Sequence, residues 1–229
     1  MIFDKHNSKI AITVPKFKLL KKHSEWFEGS YNEPYIVSLA IAENNCQHPN
    51  IGFNIVPFPK VASGGTVEML GDGHLIYGPN NPGEFVAISI LIMESDNDIR
   101  NIGSLIENLI KNSALDLGIA AIIAANPGAG GVIAILKELT ELLAKALKKN
   151  KDDELFRVSG TFLRDGDVPY HINRLYEVSN DYVSLSTKVI PLENTNGQGL
   201  EVKEIDISYD CINVQSQGIN VVKDDGFSF

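Results

Sequence analysis

The sequence predicts a mainly β protein, an antiparallel sandwich of strands with a block of helix in its middle, and three observations carry that expectation. Short runs of β-branched and apolar residues recur, separated by closely spaced turn signals such as Gly64-Gly65, Gly71-Asp72-Gly73 and Gly78-Pro79. The hydrophobic period then changes to helical spacing between about residues 103 and 150. After the charged link from Asn150 to Glu154 the strand-like runs resume. Strands, one helical block and strands again is the pattern of a sandwich with a helical insertion in one loop.

Each element has its own signal. Residues 9–20 alternate partially, with Ile10, Ile12 and Val14 on one face, and Pro15 marks an edge or interrupted strand. A loop from Lys21 to Glu33 leads into a clean strand from Tyr35 to Ile41. Ile51 to Pro59 is β-like but punctuated by Pro57 and Pro59, and shorter strands follow at Thr66–Leu70 and His74–Tyr77. Phe85 to Met93 is apolar nearly throughout, which predicts a central strand. Ile102, Leu105, Ile106, Leu109 and Ile110 then recur at helical spacing, and Ala114 to Ala125 continues as a second apolar helix until Asn126-Pro127-Gly128 breaks it. A third helix from about Val132 to Lys149 places Leu136, Leu139, Leu142, Leu143 and Leu147 on one face, with Lys145, Lys148 and Lys149 near its C-terminal end, where cations suit the helix dipole. Later strands are expected at Leu155–Leu163, Tyr182–Ile190 and Glu201–Ser208, with further ones at Cys211–Val214 and Ile219–Val222. All of this reads as one domain over 1–229, with extra C-terminal strands in 196–229.

Composition bounds the function. The 229 residues carry 29 acids against 20 Lys and Arg, a formal charge of −9. Phosphate backbones need a basic face, so nucleic acid is excluded as the main partner. Cations, basic partners and a plainly solvated acidic surface all remain compatible with that charge. Cys46 and Cys211 stand in no metal-ligand spacing; two free thiols are expected, with one long-range disulfide left open. The N-terminus lacks the apolar core of a signal peptide, which leaves a cytoplasmic protein, a mature form, or export by a signal-independent route.

Catalytic signatures are missing. The histidines (His6, His23, His48, His74, His171) form no ligand pair at short spacing, the glycine-rich stretches precede no Lys-Ser/Thr, and no Gly-x-Ser-x-Gly elbow occurs. The expectation is therefore a non-catalytic chain.

Two acidic loops carry more information. The first is Glu28-Gly-Ser-Tyr-Asn-Glu33-Pro34-Tyr35, which runs into an alternating strand. The second is Glu94-Ser-Asp96-Asn-Asp98-Ile-Arg-Asn-Ile102-Gly103, which leaves a strand with acids at every second position. Alternate residues of extended backbone share a side, so the carboxylates of Glu94, Asp96 and Asp98 can converge. Calcium takes six to eight oxygens at about 2.3–2.6 Å, largely from carboxylates and carbonyls. The bland reading is that these acids solvate a turn and cap the helix that begins near Asn101.

These loops, in this order, resemble the first and third calcium loops of the C2 family of calcium-dependent membrane-binding domains. Glu33 stands where that family carries aspartate before Pro-Tyr, and Phe27, with Glu28 beside it, stands where it carries an earlier acid. The resemblance implies a C2-like β-sandwich, bound Ca2+, and contact with an anionic membrane surface or a protein partner. The metal ligands it suggests are Glu28, Glu33, Glu94, Asp96 and Asp98. A third acidic loop, Arg164 to His171, adds Asp165 and Asp167 if it lies at the same end, although Asp-Gly is also a common hairpin turn. Trp26 and Phe27 are candidates for membrane or partner contact, or equally for a core anchor.

The apolar block supports a competing expectation. Leu115 to Leu136 contains one charge, Asp116. The break at Asn126-Pro127-Gly128 leaves arms of roughly ten residues, against about 20 for a membrane span. A hairpin packed on the sandwich is one reading, and a membrane-active, toxin-like hairpin over 103–150 is the other. A structural subunit that docks through the same block is a third.

Overall fold

The computed structural model describes residues 3–21, 31–43, 50–58, 60–95, 102–116, 128–149, 151–192 and 203–206. Their order along the chain is β1 (Lys9–Leu19), β2 (Tyr31–Asn32), β3 (Pro34–Ala42), β4 (Asn50–Pro57), β5 (Val61–Ala62), β6 (Thr66–Glu68), β7 (His74–Asn80) and β8 (Phe85–Glu94). There follow α1 (Ile102–Asp116), α2 (Ala129–Lys149), β9 (Asp153–Leu163), a single 3-10 turn at Pro169–His171, β10 (Leu175–Ser179), β11 (Val183–Leu192) and β12 (Lys203–Asp206).

Among the described residues, ten of the twelve strands fall into two antiparallel sheets. One runs β10-β11-β1, with β6 and β7 both on the far side of β1; the other runs β12-β4-β3-β8-β9. β2 and β5 make a separate two-stranded ribbon.

The central strands of the second sheet, β3 and β8, are buried on both faces, and their period of two divides the work. Ile36 and Ala40 of β3 and Ile88, Ile90 and Ile92 of β8 pack against Ile10, Ile12, Val14, Leu185 and Val189 of the first sheet. The residues between them, Val37, Leu39, Leu91 and Met93, pack against Val132, Leu136, Leu139, Leu143 and Leu147 of α2 and Ile106 and Ile110 of α1. The layers are therefore helix pair, sheet, sheet. This explains why β8 is apolar at nearly every position and why β3 is buried throughout. Burying a leucine side chain of this kind stabilises by about 1.5–3 kcal/mol.

α2 starts earlier than the periodicity indicates, at Ala129, and Leu142 is only half-buried, while Ile133 and Ile135 join the covered face. A polar seam crosses this otherwise apolar contact. Thr140 Oγ1 donates to the Leu136 carbonyl and lies 2.7 Å from Ser89 Oγ, which is 2.7 Å from Ser159 Oγ. Three hydroxyls handing protons along one line satisfy one another without water, as buried polar groups must.

Pro15 lies inside a central strand. β1 is paired along its length by β11 on one side. On the other side β7 pairs its first half and β6 its second, as two collinear pieces. The ladder is interrupted where proline has no N–H to give: the β11 register shifts between Thr13 and Lys16, and the partner leaves the sheet as the excursion Met69–Gly73. Met69 N returns a bond to the Pro15 carbonyl at 2.8 Å. Gly73, at φ +109°, closes the excursion so tightly that a Cβ there would stand 2.6 Å from the Val14 carbonyl oxygen.

Candidate functional site

The second sheet places several acidic segments at one rim. In its register Pro34 opposes Glu94, and Glu94 opposes Asp153. Ser95 N donates to the Glu33 carbonyl at 3.2 Å, so the backbone around Glu33 and the backbone leaving β8 are bonded to each other. Glu33 is exposed and Glu94 half-buried. These are the two loops the sequence singles out, and their described ends meet.

A further segment, the link between α2 and β9, arrives at the same place. Lys151 takes a left-handed backbone (φ 73°), and Asp152 N donates back to the Leu147 carbonyl at 3.2 Å, closing the helix end. Asp152 is 1% exposed, and its Oδ2 accepts the Tyr35 hydroxyl at 2.7 Å. Burial, reinforced by the hydrogen bond and charge of Asp152, pushes the Tyr35 phenol far above its ordinary range. Two residues on, Glu154 is held by Lys148 at 2.8 Å and Arg157 at 2.9 Å. Burial alone raises this carboxyl, but the hydrogen bonds from Arg157 and Lys148 outweigh it and leave it below its usual value. Sequence reasoning reads 150–154 as a charged link and misses Asp152 and Asp153; the available signal is the run of three acids, Asp152 to Glu154, that leads into the apolar residues from Leu155.

An open cleft of about 350 Å³ adjoins this rim, lined by Phe58, Val61, Ala62, Thr66 and Lys60 among others. It is tied to the Glu33 segment because Val61 pairs with Asn32 and Phe58 N donates to the Pro34 carbonyl at 2.8 Å.

Asp165 and Asp167 are elsewhere. Leu163 opposes Phe85, so the loop after β9 leaves the sheet at the end opposite Glu94. Nine residue steps at about 3.4 Å make that separation about 30 Å. The expectation that Asp165 and Asp167 join the other acids is therefore corrected by the register. Nor is their turn a hairpin, since it carries the chain from one sheet to the other. Asp165 is engaged by Lys5 at 2.6 Å and Arg164 at 3.0 Å, and the hydrogen bonds from Arg164 and then Lys5 pull its carboxyl down to about 2.

Glu28, Asp96, Asp98, Trp26, Phe27, Cys46 and Cys211 lie outside the described residues, as do 117–127 of the apolar block and the expected strands 211–214 and 219–222. Among the described residues no three His, Cys, Asp or Glu side chains gather to hold a metal ion, so Glu33 and Glu94 supply at most part of a calcium shell. No described helix is long and apolar enough to cross a membrane.

Compared with protein-family models, with curated proteins and with solved structures, the chain matches none.

Proposed function

We propose that this chain is a non-catalytic, C2-like binding module that takes calcium between the segments around Glu33 and Glu94–Asp98. On this reading the helices of the 103–150 block are an insertion into the sandwich. The observation that carries it is the bond from Ser95 N to the Glu33 carbonyl, at the edge where Pro34 opposes Glu94. Two acidic segments far apart in sequence thereby share one rim. On this proposal Asp96 and Asp98, which follow Ser95 within three residues of the sequence, would complete the donor set with Glu33 and Glu94.

Carboxylates crowded at one rim repel one another unless a cation neutralises them. A bound divalent ion would cancel the local charge and let an otherwise acidic protein approach an anionic membrane surface or a protein partner. The apolar cleft beside Glu33 offers contact area for the same approach. Asp165 and Asp167 take no part.

The competing membrane-active reading draws on the apolar 103–150 block, but among its described residues Ile106 and Ile110 of α1 and Val132, Leu136, Leu139, Leu143 and Leu147 of α2 are already buried against the sheet. That favours packing for the described part of the block.

Titration calorimetry tests the proposal. Wild type takes up calcium at or below millimolar concentration, and Asp96→Asn with Asp98→Asn abolishes the heat while leaving the fold intact by circular dichroism. Absence of heat from the wild type at millimolar calcium rejects the site.

A further inference from the structure

At the pole opposite the acidic rim the backbone is strained in a concentrated way. Tyr170, His171 and Asn173 sit at φ 50°, 55° and 62°, in the left-handed region that residues with side chains rarely adopt. Such clusters persist only when their surroundings hold them.

The surroundings here are specific. Tyr170 is fully buried, and its hydroxyl reaches the Lys5 carbonyl at 3.1 Å and the Gly83 carbonyl. Phe3 stands edge-on to the Tyr170 ring at 6.3 Å. Asn81 Nδ2 donates to the Lys5 and Ser8 carbonyls at 3.3 and 2.8 Å, and Lys5 pairs with Asp165. The N-terminal segment is thus strapped to the loop that carries the strain. His171 follows Tyr170 directly. Its Nδ1 is hydrogen-bonded to the Tyr176 hydroxyl, its ring stacks on Tyr176 at 5.8 Å, and Phe162 meets it edge-on at 6.0 Å.

We propose that His171 is the acid-sensitive release of a latch that holds residues 3–8 against the loop 164–174. On this proposal Nδ1 of the neutral ring accepts the Tyr176 proton and the ring carries its own proton on Nε2. Protonation makes Nδ1 a donor, reverses the direction of that bond and puts a positive charge in a half-buried aromatic cluster beside Arg174. The consecutive left-handed residues then relax, and the Tyr170 hydroxyl leaves the Lys5 carbonyl.

Burial first, and Arg174 second, hold the His171 imidazole below its ordinary 6.5. The sign follows: the latch is closed at neutral pH and opens as pH falls through that lowered value. The other charged groups around this pole are Asp4, Lys5 and His6 of the segment, Glu43, Glu84, Arg164, Asp165 and Asp167. On the neighbouring strands are Glu177, paired with Lys16, and Lys188, paired with Asp72. Asp165 keeps its charge in the same window, because its carboxyl is pulled down to about 2, so neutralisation of the Lys5–Asp165 pair is not what opens the latch. His6 is a second imidazole and needs its own control.

Fluorine NMR of the full chain carrying 4-fluorophenylalanine at position 3 tests this between about pH 7.5 and 4.5. A single transition with its midpoint below 6.5 is expected. It disappears in His171→Phe, moves to higher pH in Arg174→Gln, and is unchanged in His6→Asn. A transition that survives His171→Phe, one that follows His6→Asn, a midpoint that Arg174→Gln does not raise, or no transition at all overturns the latch. Because the readout lies at the pole away from Glu33, its failure leaves the calcium proposal standing, and the reverse holds too.

Discussion

Replacing Tyr35 by phenylalanine removes one oxygen atom from the rim and nothing else. The ring is fully buried in the core between the sheet and the helices, so its packing survives the change. What is lost is the 2.7 Å hydrogen bond to the Oδ2 of Asp152, a residue 1% exposed. A hydrogen bond to a charged group contributes about 1.5–3 kcal/mol, and a buried carboxylate deprived of a donor gives the upper part of that range. The phenol stays neutral at working pH, since burial and Asp152 both hold its proton. With a urea slope of about 2–3 kcal/mol/M, a loss of about 2.5 kcal/mol lowers the unfolding midpoint by about 0.8–1.3 M at unchanged slope. Combining Tyr35→Phe with Asp152→Ala costs clearly less than the sum of the two single changes, because both remove the same bond. A midpoint within error of the wild type, or full additivity, refutes the claim that this pair ties β3 to the end of α2.

Other consequences are open to the same kind of measurement. Leu139→Ala, at a fully buried position of α2, costs about 2–5 kcal/mol in urea unfolding, and the half-buried Leu142→Ala costs distinctly less. Equal losses would mean the helix presents a different face. Gly73→Ala destabilises by more than about 1 kcal/mol, since it places a Cβ 2.6 Å from the Val14 carbonyl oxygen at φ +109°; a neutral effect in thermal unfolding would contradict the Pro15 excursion as described. His74 is held neutral by burial, which pushes its imidazole below 6.5. Its folded form resists a proton that the unfolded chain accepts. Stability is thus complete above about 6.5 and falls as pH drops from there through the lowered value. The melting temperature of His74→Gln should fall less between pH 7 and 5 than that of the wild type, and parallel curves would rule the histidine out.

Much of the architecture was legible because it follows from periodicity. The near-continuous apolar runs of β8 and β3 fit a sheet covered on both sides, and the leucine spacing of α2 gives a helix with an apolar face to cover one of them. Pro15 marks an interrupted strand rather than an edge, for a physical reason. A proline usually marks an edge because its missing N–H breaks a ladder, but here both neighbours break with it, so the strand stays central. β10 goes unnoticed since Leu175–Ser179 is a short, largely exposed edge strand with little apolar pattern. At the rim, acids at alternate positions flag Glu94, and the Glu33-Pro34-Tyr35 start of a strand flags Glu33. Asp165 carries the same kind of signal and lies at the other pole. Local spacing shows which carboxylates share a side of the backbone, whereas the register of β8 against β3 and β9 decides which of them share an end. Asp152 is hidden from sequence by the same rule, since its importance comes from Tyr35, 117 residues away.

A paramagnetic lanthanide in place of calcium would locate the cation in a single spectrum. Gadolinium added to the isotope-labelled chain should broaden the amides of Glu33, Ser95 and Asp153 and spare Asp165 and Asp167, about 30 Å away along β8 and β9. Broadening centred on the Asp165 loop, or none at the Glu33 edge, would contradict the account.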